Sequence, residues 1–597
     1  MRPDAQRHCL RTLQLYENRP RDAARQTHPD LERAITLQSL RLASTPLAVD
    51  DSSMTTDVSG RIDALLTRYR SSDLSVARAL CDDHDPAATA WRFIGADLSA
   101  RDLTYGELRA GSERFAAALR ALGVKEGDRV ATLMGKSRAY VIALLSIWRL
   151  GAVHVPLFTA FAPAAIATRL SSSAARVVVC NEQQEPKLAP GPDMPDGAWQ
   201  VVTMGRGGGG ALSYDELTAH AEERVPAAAL GGDAPLIHIS TSGTTGTAKG
   251  VVVPSKALAT FQTYVELGLD LSPADVFWNA ADPGWAYGLY YGVLATLTTG
   301  VRSVMFEGAF TPETTLAILA REGVTNFAAA PTVYRALRAA ALPRPVGLRL
   351  RRASSAGEPL TPDVNDWARE ALGVEVHDHY GQTEAGMLVN NHHHPSLARP
   401  IKPGSMGQVM PGWSAAILHE ERDEVLPPNR PGRLAMDLRA SPLAWFAGYE
   451  GDPAKSAEKF AGAGRYYLTG DVASVDEDGY CTFSSRDDDV IIMAGYRIGP
   501  IEVEATLARH PAVAETAVVA APDALRGEVV EAFVVLRAGA TASPALCDEL
   551  QAWVKTRYAA HAYPRRVHFV DALPKTPSGK LQRFVLKARR RAELGSS

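Results

Sequence analysis

The organisation of this chain follows from ten residues, Thr241-Ser242-Gly243-Thr244-Thr245-Gly246-Thr247-Ala248-Lys249-Gly250, which separate two apolar, strand-like runs at 236–239 and 251–253. Glycines let the backbone turn tightly and bring N–H groups close to a ligand. Hydroxyl groups donate hydrogen bonds, and a lysine supplies a mobile positive charge. This combination predicts a loop that binds a polyanion, in the first place a nucleoside triphosphate.

The loop differs from a Walker A loop. Lys249 is followed by Gly250 rather than by Ser or Thr, and Ala248 stands where a Walker loop has its second glycine. A strand-like run also follows the loop where a Walker helix would begin. A flexible linker rich in Ser, Thr and Gly is the alternative. Because linkers rarely separate two β-branched runs, we expect a phosphate-binding loop.

The composition is that of an ordinary globular chain, with 46% hydrophobic and 22% charged residues among 597. A formal net charge of −4 gives no indication that nucleic acid is a partner. The five cysteines lack metal-site spacing and indicate a reducing compartment. The most apolar run, at 140–147, is too short for a membrane span and predicts a buried helix. No signal peptide is evident, so we expect a cytoplasmic protein.

Strand-like and helix-like patterns alternate from about Met54 onward. Thr104 and Glu107 have the spacing of a capping box and open an apolar-periodic helix that ends at Gly123. The alternation predicts parallel β-α units and an α/β fold. Residues 1–53 are weakly patterned, so we expect a disordered or dispensable extension. The further predicted elements are a strand at 128–134, a helix at 137–150, and strands at 153–157, 176–179 and 374–376.

Polar motifs follow the phosphate loop in a fixed order. Each one alone could be an ordinary loop. A polar break at 484–489, before a new apolar series, predicts a domain boundary and a small α+β unit after it. The motifs are ADPGWAYG at 281–288, APTVY at 330–334, AGEPL at 356–360, DHYGQTE at 378–384, YYLTGD at 466–471, RDDD at 486–489, GYRIGP at 495–500 and LPKTPSGK at 573–580.

With these motifs in this order, the chain from about residue 60 to 590 resembles the adenylate-forming (AMP-binding) superfamily. The runs GEPL and GYRIGPIEVEATLARHPAVAE resemble most closely the medium-chain acyl-CoA synthetases. The resemblance implies a large α/β domain of several subdomains at 54–486. It also implies a small α+β lid domain at 487–597, which rotates about a hinge at Asp488.

The activity implied by the resemblance is that of an ATP-dependent acyl-CoA synthetase. Such an enzyme activates a carboxylic acid as acyl-AMP, releases pyrophosphate, and transfers the acyl group to CoA, with ATP and CoA as co-substrates and Mg²⁺ as cofactor. Two alternatives stay open: a ligase that loads an acyl-carrier protein, and a non-catalytic binding paralogue. The second alternative is opposed by an intact set of charged residues, Lys249, Glu384, Asp471, Arg486 and Lys580.

The resemblance also assigns catalytic roles. Charge builds up on phosphoryl oxygens, so cations and N–H donors should carry most of the catalysis. Lys580 would reach from the small domain to the carboxylate and the α-phosphate. Thr383 would donate to the α-phosphate, and Glu384 would bind Mg²⁺. Loss of one such contact typically costs about 100- to 1000-fold in rate.

The nucleotide site is assigned in the same way. Tyr380 would offer its ring to adenine, Asp471 would accept hydrogen bonds from both ribose hydroxyls, and Arg486 would lie beside Asp471. The other residues that the resemblance assigns to ATP and AMP are Thr241, Ser242, Gly243, Thr244, Thr245, Gly246, Lys249, Gly357, Glu358, Pro359 and Asp378.

The acyl pocket is assigned to Trp285, Ala286, Tyr287, Ala356 and Gly381. Acetate-specific relatives carry a tryptophan at the position of Gly381 and a valine at the positions of the two alanines. Each buried methylene favours binding by about 0.8 kcal/mol, so we expect a medium-chain or aryl acid rather than acetate. Amino-acid activation would need an acidic residue in place of Ala286. Tyr287 would cap the pocket or hydrogen-bond a polar acyl group.

Gly495, Tyr496 and Arg497 are assigned to CoA, with Gly495 leaving room for pantetheine. The setting of Lys580, six residues after Pro574, resembles the acetylation context of acyl-CoA synthetases and implies a lysine acetyltransferase as a partner. The run at 392–394, three histidines, predicts a solvated loop rather than a metal site. His238, inside an apolar strand, is expected to be a satisfied core histidine.

Overall fold

The computed structural model describes residues 55–197, 199–205, 210–219, 224–242, 248–360, 362–486, 489–493, 496–523, 526–559, 561–575 and 581–595. The predicted N-terminal extension lies outside these residues. Within them, no helix has both the length and the apolar character needed to cross a membrane.

Four sheets with flanking helices make up the described fold. The strands are β1 Thr89–Ile94, β2 Ala100–Thr104, β3 Arg129–Leu133, β4 Val153–Pro156, β5 Val177–Asn181, β6 Gln200–Met204, β7 Leu212–Ser213, β8 Pro235–Ser242, β9 Ala248–Pro254, β10 Val276–Asn279, β11 Arg302–Phe306, β12 Asn326–Ala329, β13 Arg352–Ala356, β14 Val376–Gln382, β15 Gly386–Asn390, β16 Gln408–Val409, β17 Ala415–Leu418, β18 Gly432–Asp437, β19 Tyr449–Glu450, β20 Phe460–Ala461, β21 Tyr466–Val475, β22 Cys481–Arg486, β23 Ile491–Met493, β24 Tyr496–Ile498, β25 Val513–Asp523, β26 Gly527–Leu536 and β27 Arg566–Phe569.

The helices are α1 Thr55–Tyr69, α2 Tyr105–Ala121, α3 Arg138–Arg149, α4 Pro163–Ser172, α5 Tyr214–Ala219, α6 Leu258–Thr263, α7 Ala286–Leu289, α8 Ala295–Thr299, α9 Pro312–Arg321, α10 Pro331–Ala339, α11 Pro362–Ala371, α12 Pro453–Ala457, α13 Pro500–Leu507, α14 Pro544–Arg557 and α15 Arg583–Gly595. Short π-helical segments lie at Arg78–Asp82, Tyr264–Gly268 and Tyr290–Leu294, and 3₁₀ turns at Glu185–Leu188, Ser255–Ala257 and Leu438–Ala440.

The eight-stranded sheet carries the phosphate loop and has the order β19-β9-β8-β4-β3-β5-β6-β7. Its strands β3 to β8 pair in parallel, as the alternating pattern predicts. The predicted capping box of α2 is present, since Thr104 and Glu107 exchange both hydrogen bonds. The apolar run at 140–147 lies in α3, where the buried Arg149 pairs with Asp82 at 2.6 Å. The phosphate loop joins β8 and β9, which form an antiparallel hairpin.

The nine-stranded sheet has the order β16-β15-β14-β13-β12-β10-β11-β1-β2, with a parallel centre and antiparallel edges. One prediction is wrong here. The strand expected at 374–376 begins only at Val376 and runs to Gln382, so the DHYGQ motif is itself a strand and not the loop after one. The pairing with β13 explains the difference: Ala353 lies opposite Val376, and Ala356 lies opposite His379.

Two five-stranded sheets complete the fold. One contains β17, β18, β20, β21 and β22, and its strand β21 carries the TGD motif. The other contains β23 to β27 and packs with α13, α14 and α15 around its own apolar core. This second sheet agrees with the small α+β unit predicted after the polar break. The α/β class with a large and a small part is therefore confirmed.

Candidate active site

Tyr449 connects the phosphate-loop hairpin to the QTE motif. It lies on β19, which pairs with β9, so that Tyr449 is opposite Val251. Its hydroxyl donates to Glu384 Oε1 over 2.8 Å, and the Lys249 Nζ lies 5.1 Å from the centre of its ring. Glu384 is only 9% exposed. The geometry therefore brings Lys249 and Glu384, predicted for phosphate and Mg²⁺, to one aromatic side chain.

Asp471 is the centre of a second polar group. It is 3% exposed on β21 and lies opposite Arg486 of β22, whose Nε is 3.4 Å from Asp471 Oδ1. Tyr380 donates a short hydrogen bond to the other carboxylate oxygen. Burial raises the pKa of Asp471, and the Arg486 charge opposes that rise. Oδ1 is buried and, beside this ion pair, accepts no hydrogen bond within the described part of the chain, so it can accept one from a ligand hydroxyl.

Gln382 is a residue that sequence reasoning missed. Its Nε2 donates to Thr469 O and to Asp471 Oδ2, each over 2.8 Å, and its Oε1 accepts from the Tyr467 hydroxyl over 2.7 Å. It thus joins β14 to β21. The alternation of a strand could have found it, because Tyr380 and Gln382 are two residues apart and share one face of β14.

The residues predicted to line the edge of the adenine ring, at 357–359, directly follow β13. Gly357 and Pro359 are exposed, and Glu358 pairs with Arg335 over 2.7 Å. Asp378 Oδ2 accepts from the backbone N–H of Leu360 over 3.3 Å. Burial raises the pKa of Asp378 to about 7.

The predicted acyl residues lie on three elements. Ala286 and Tyr287 begin α7, the buried Ala356 ends β13, and Trp285 packs against Phe158 with 5.1 Å between ring centres. Gly381 lies at a register shift between β14 and β15. A Cβ there would collide with Gly386 O and would lie 2.7 Å from Met387 Sδ. Its close approach to the neighbouring strand is therefore what requires glycine.

Tyr287 belongs to a chain of hydrogen bonds. Its hydroxyl lies 3.2 Å from the Tyr264 hydroxyl, which lies 2.7 Å from His379 Nδ1. His379 Nε2 lies 3.1 Å from the Asn391 carbonyl oxygen. A carbonyl only accepts, so Nε2 carries the proton and Nδ1 accepts from Tyr264. The Tyr264 oxygen is then free to accept the Tyr287 proton, which leaves the Tyr287 oxygen as an acceptor.

The histidine prediction is wrong: His392 and His393 are buried, with 3% and 4% exposure. His393 stacks on His377 with 3.6 Å between ring centres, and burial holds the pKa of both rings low. Local sequence did not reveal this packing, because His377 lies on β14 and His393 lies in the segment that follows β15. His377, His379 and His393 offer nitrogen atoms within 4.8 Å of one another. Both nitrogens of His379 are already engaged, as is Nε2 of His393, which contacts Ser354 Oγ at 3.0 Å.

His238 is a core histidine, as predicted, with 1% exposure. Its Nε2 lies 3.0 Å from Glu450 Oε2. It is only partly satisfied, because Nδ1 has no partner in the part of the chain that the structure describes.

Of the other site residues predicted from the sequence, some lie in the described part of the chain and some lie outside it. Thr241 and Ser242 end β8, Thr383 accepts from the Tyr290 hydroxyl through its carbonyl over 3.2 Å, and the backbone of Tyr496 and Arg497 belongs to β24. Outside the described residues lie Gly243, Thr244, Thr245, Gly246, Asp488, Gly495 and Lys580.

Comparison with known proteins extends this picture. A model described as AMP-binding enzyme matches residues 82–440, and one described as AMP-binding enzyme C-terminal domain matches residues 502–580. The acetyl-coenzyme A synthetase of Bacillus subtilis (strain 168) is 38% identical over 493 residues, which cover 81% of this chain and 84% of that protein. The mitochondrial acyl-coenzyme A synthetase ACSM4 of Homo sapiens is 36% identical over 491 residues, 81% of this chain and 83% of that protein. The crystal structure of a Brucella canis acyl-CoA synthetase shares 42% identity, with a TM-score of 0.69, and covers 90% of this chain and 98% of its own.

Proposed function

The chain belongs to the AMP-binding enzyme family and is an AMP-forming acyl-CoA synthetase, as its motifs indicated, and we propose that its acid substrate is a medium-chain fatty acid or an aryl acid rather than acetate. The relatives leave this choice open, since one is named for acetyl-coenzyme A and another for acyl-coenzyme A. The choice rests on the side chains near Tyr287.

The observation that carries the substrate proposal is the set of small residues around β13 and β14. Ala356 lies opposite His379 in the sheet, and Ala286 precedes Tyr287, whose hydroxyl reaches His379 through Tyr264. The Met387 sulfur lies 2.7 Å from the point that a Cβ on Gly381 would occupy, and a flexible thioether adapts to differently shaped apolar groups. Small and adaptable walls favour acids with several carbons or a ring.

In the first half-reaction, some residues of the candidate active site would bind the nucleoside and others would contact the reacting groups. A carboxylate oxygen would attack the α-phosphorus of ATP, the bond from that phosphorus to the bridging oxygen would break, and pyrophosphate would leave with the electron pair. Asp471 and Tyr380 would hold the nucleoside, while Thr383 and Lys580 would donate to the α-phosphate and the carboxylate. These positioned donors would stabilise the charge that develops on the phosphoryl oxygens.

The donor set at Glu384 fits Mg²⁺. One carboxylate oxygen accepts the Tyr449 hydroxyl, and a carboxylate oxygen is the hard ligand that this ion prefers. Bound there with the phosphates of ATP, Mg²⁺ would neutralise part of their negative charge.

CoA is the nucleophile in the second half-reaction. Its sulfur, after losing the thiol proton, would attack the acyl carbonyl carbon, and AMP would leave with the electron pair of the broken C–O bond. We propose that residues 487–597 rotate about Asp488 between the two steps and present Gly495, Tyr496 and Arg497 to CoA. The proposed boundary at 486/487 lies between the two family matches.

Two further parts of the proposal concern the cell. Four cysteines, Cys81, Cys180, Cys481 and Cys547, carry free thiols, which suits a cytoplasmic location. A lysine acetyltransferase acting on Lys580 would remove the positive charge and abolish the first half-reaction. Full activity in a stoichiometrically acetylated sample would contradict this.

The experiment for the proposed function is pyrophosphate release over carboxylates from acetate to dodecanoate and over benzoates, with and without CoA. We expect CoA-dependent turnover that is greatest for medium-chain or aromatic acids, and about 100- to 1000-fold slower turnover in Lys580→Ala. Adenylate formation without use of CoA would instead indicate carrier-protein loading. Inactivity with every acid would contradict the proposal.

A further inference from the structure

Lys459 lies between α12 and β20, in none of the motifs discussed above. Its Nζ donates to the carbonyl oxygens of Leu468 and Thr469, over 3.3 and 3.1 Å, and lies 5.7 Å from the centre of the Tyr467 ring. Leu468 and Thr469 directly precede Gly470 and Asp471 on β21. The ammonium is therefore held by the backbone of the strand that carries the ribose carboxylate.

The same ammonium faces the candidate active site. It lies 3.5 Å from the point that a Cβ on Gly470 would occupy, and a terminal nitrogen of Arg486 lies 3.9 Å from that point. Four charged side chains act on it electrostatically: Glu384, Asp471, Arg486 and Lys249. Lys459 therefore stands between the proposed Mg²⁺ ligand, the ribose site and the phosphate loop.

The carboxylates near Lys459 are already engaged by other groups. Asp471 pairs with Arg486, and Glu384 accepts the hydroxyl of Tyr449. Among the described residues, no carboxylate lies within ion-pair distance of Lys459 itself. Burial lowers the pKa of the ammonium, which means that its positive charge is poorly solvated. A largely buried charge is costly unless an opposite charge accompanies it, so the arrangement favours an anionic ligand.

We propose that Lys459 binds the pyrophosphate portion of ATP and the pyrophosphate product. This inference rests on the proposed function. When the bond between the α-phosphorus and the bridging oxygen breaks, the electron pair moves to the leaving pyrophosphate, and its negative charge increases. Lys249 at the phosphate loop and Lys459 beside β21 would face this charge with two ammonium groups. Unlike Lys580, which the proposal places on a rotating domain, Lys459 belongs to the large domain and stays in place during both half-reactions.

The test is equilibrium binding to Lys459→Met, which keeps an unbranched side chain one atom shorter and removes the charge. We expect the Kd for α,β-methylene-ATP with Mg²⁺ to rise about 10- to 100-fold, as for loss of a charge-assisted contact. The Kd for AMP should stay within about twofold of the wild-type value, because AMP has no pyrophosphate portion. ATP–pyrophosphate exchange should fall, while thioester formation from supplied acyl-AMP and CoA should not change.

Three comparisons make the test decisive. Lys455→Met removes a lysine of α12 that pairs with Glu458 at 2.9 Å and should change none of these values. Lys459→Arg should restore most of the binding of the ATP analogue. Equal weakening of AMP and the ATP analogue by Lys459→Met would overturn the inference and indicate a structural role, and so would unchanged binding of both. A wild-type protein that binds neither nucleotide would instead overturn the proposed function and the inference with it.

Discussion

The hydroxyl of Tyr449 donates to the carboxylate of Glu384 over 2.8 Å. This bond raises the pKa of the phenol further above the value that burial alone gives, because proximity to a carboxylate disfavours a second negative charge. It also fixes the orientation of the carboxylate that we propose for Mg²⁺. The two residues belong to different sheets: Tyr449 lies on β19 of the eight-stranded sheet, and Glu384 lies between β14 and β15 of the nine-stranded sheet.

Tyr449→Phe should therefore weaken the use of Mg²⁺. Loss of one hydrogen bond to a charged group costs about 1.5–3 kcal/mol, so we expect the Mg²⁺ concentration for half-maximal adenylation to rise about tenfold or more. The measurement is ATP–pyrophosphate exchange as a function of Mg²⁺ concentration. Tyr480→Phe is the control, since its hydroxyl donates to Pro400 O over 2.6 Å, away from this site. Equal Mg²⁺ dependence in Tyr449→Phe and the wild type would contradict the proposed role.

Gln382→Met should weaken AMP binding. Gln382 donates to Asp471 over 2.8 Å and connects it to Tyr467, so its loss frees the ribose carboxylate to move. We expect the Kd for AMP to rise about tenfold, as for one charge-assisted hydrogen bond, and calorimetry would measure it. Gln551→Met provides the comparison, because the Gln551 side-chain amide donates to the Arg565 carbonyl oxygen over 3.2 Å and belongs to the small α+β unit. An unchanged Kd in Gln382→Met would show that Asp471 holds its position without Gln382.

Asp378 predicts a dependence of stability on pH. Burial raises its pKa from 3.8 to about 7, and the neighbouring His377 and His379 are neutral because their pKa values are lowered. The folded protein then binds more protons than the unfolded chain between about pH 4 and 7, so this group lowers the free energy of unfolding as pH rises through that window. We expect Asp378→Asn to be more stable than the wild type by a few kcal/mol at pH 8, with the difference much smaller at pH 4. Urea unfolding at both pH values measures this, and a difference independent of pH would contradict the raised pKa.

Gly381→Ala should destabilise the fold. An added Cβ would collide with the Gly386 carbonyl oxygen, which is backbone and cannot turn away. We expect a loss of about 1–3 kcal/mol in the free energy of unfolding. Gly60→Ala is a matched control in α1, where nothing lies within 4 Å of the added atom, and it should stabilise by about 0.5–1 kcal/mol. If Gly381→Ala unfolds like the wild type, the close approach of β14 and β15 is not required.

Tyr287→Phe tests the direction of the hydrogen-bond chain. The Tyr287 proton is directed to Tyr264, which in turn donates to His379, so the Tyr287 oxygen can accept a hydrogen bond from the acid. We expect the preference for hydroxy- or aminobenzoates over benzoate to fall about fivefold, the value of one neutral hydrogen bond of about 1 kcal/mol. Ratios of kcat/KM measure the preference, and benzoate serves as the internal control. A preference that survives in Tyr287→Phe would place the polar contact elsewhere.

Local patterns predicted the elements whose causes are local. The capping box of Thr104 and Glu107, the helix after Ser137 and the hairpin around the phosphate loop all depend on neighbouring residues. The bond between Tyr449 and Glu384 is a side-chain contact between two different sheets, which no local pattern records. The burial of His393 also depends on a contact beyond its own segment, because its partner His377 lies on β14. The motif residues themselves were predictable only as members of an ordered set.

The most direct measurement for the central claim is a competition among acids. Equal concentrations of acetate, hexanoate, octanoate, decanoate and benzoate would be incubated with ATP, Mg²⁺ and limiting CoA, and the acyl-CoA products would be quantified by mass spectrometry. The proposed function predicts that medium-chain or benzoyl thioesters dominate and that acetyl-CoA is a minor product. Acetyl-CoA as the main product would contradict the proposed acyl pocket.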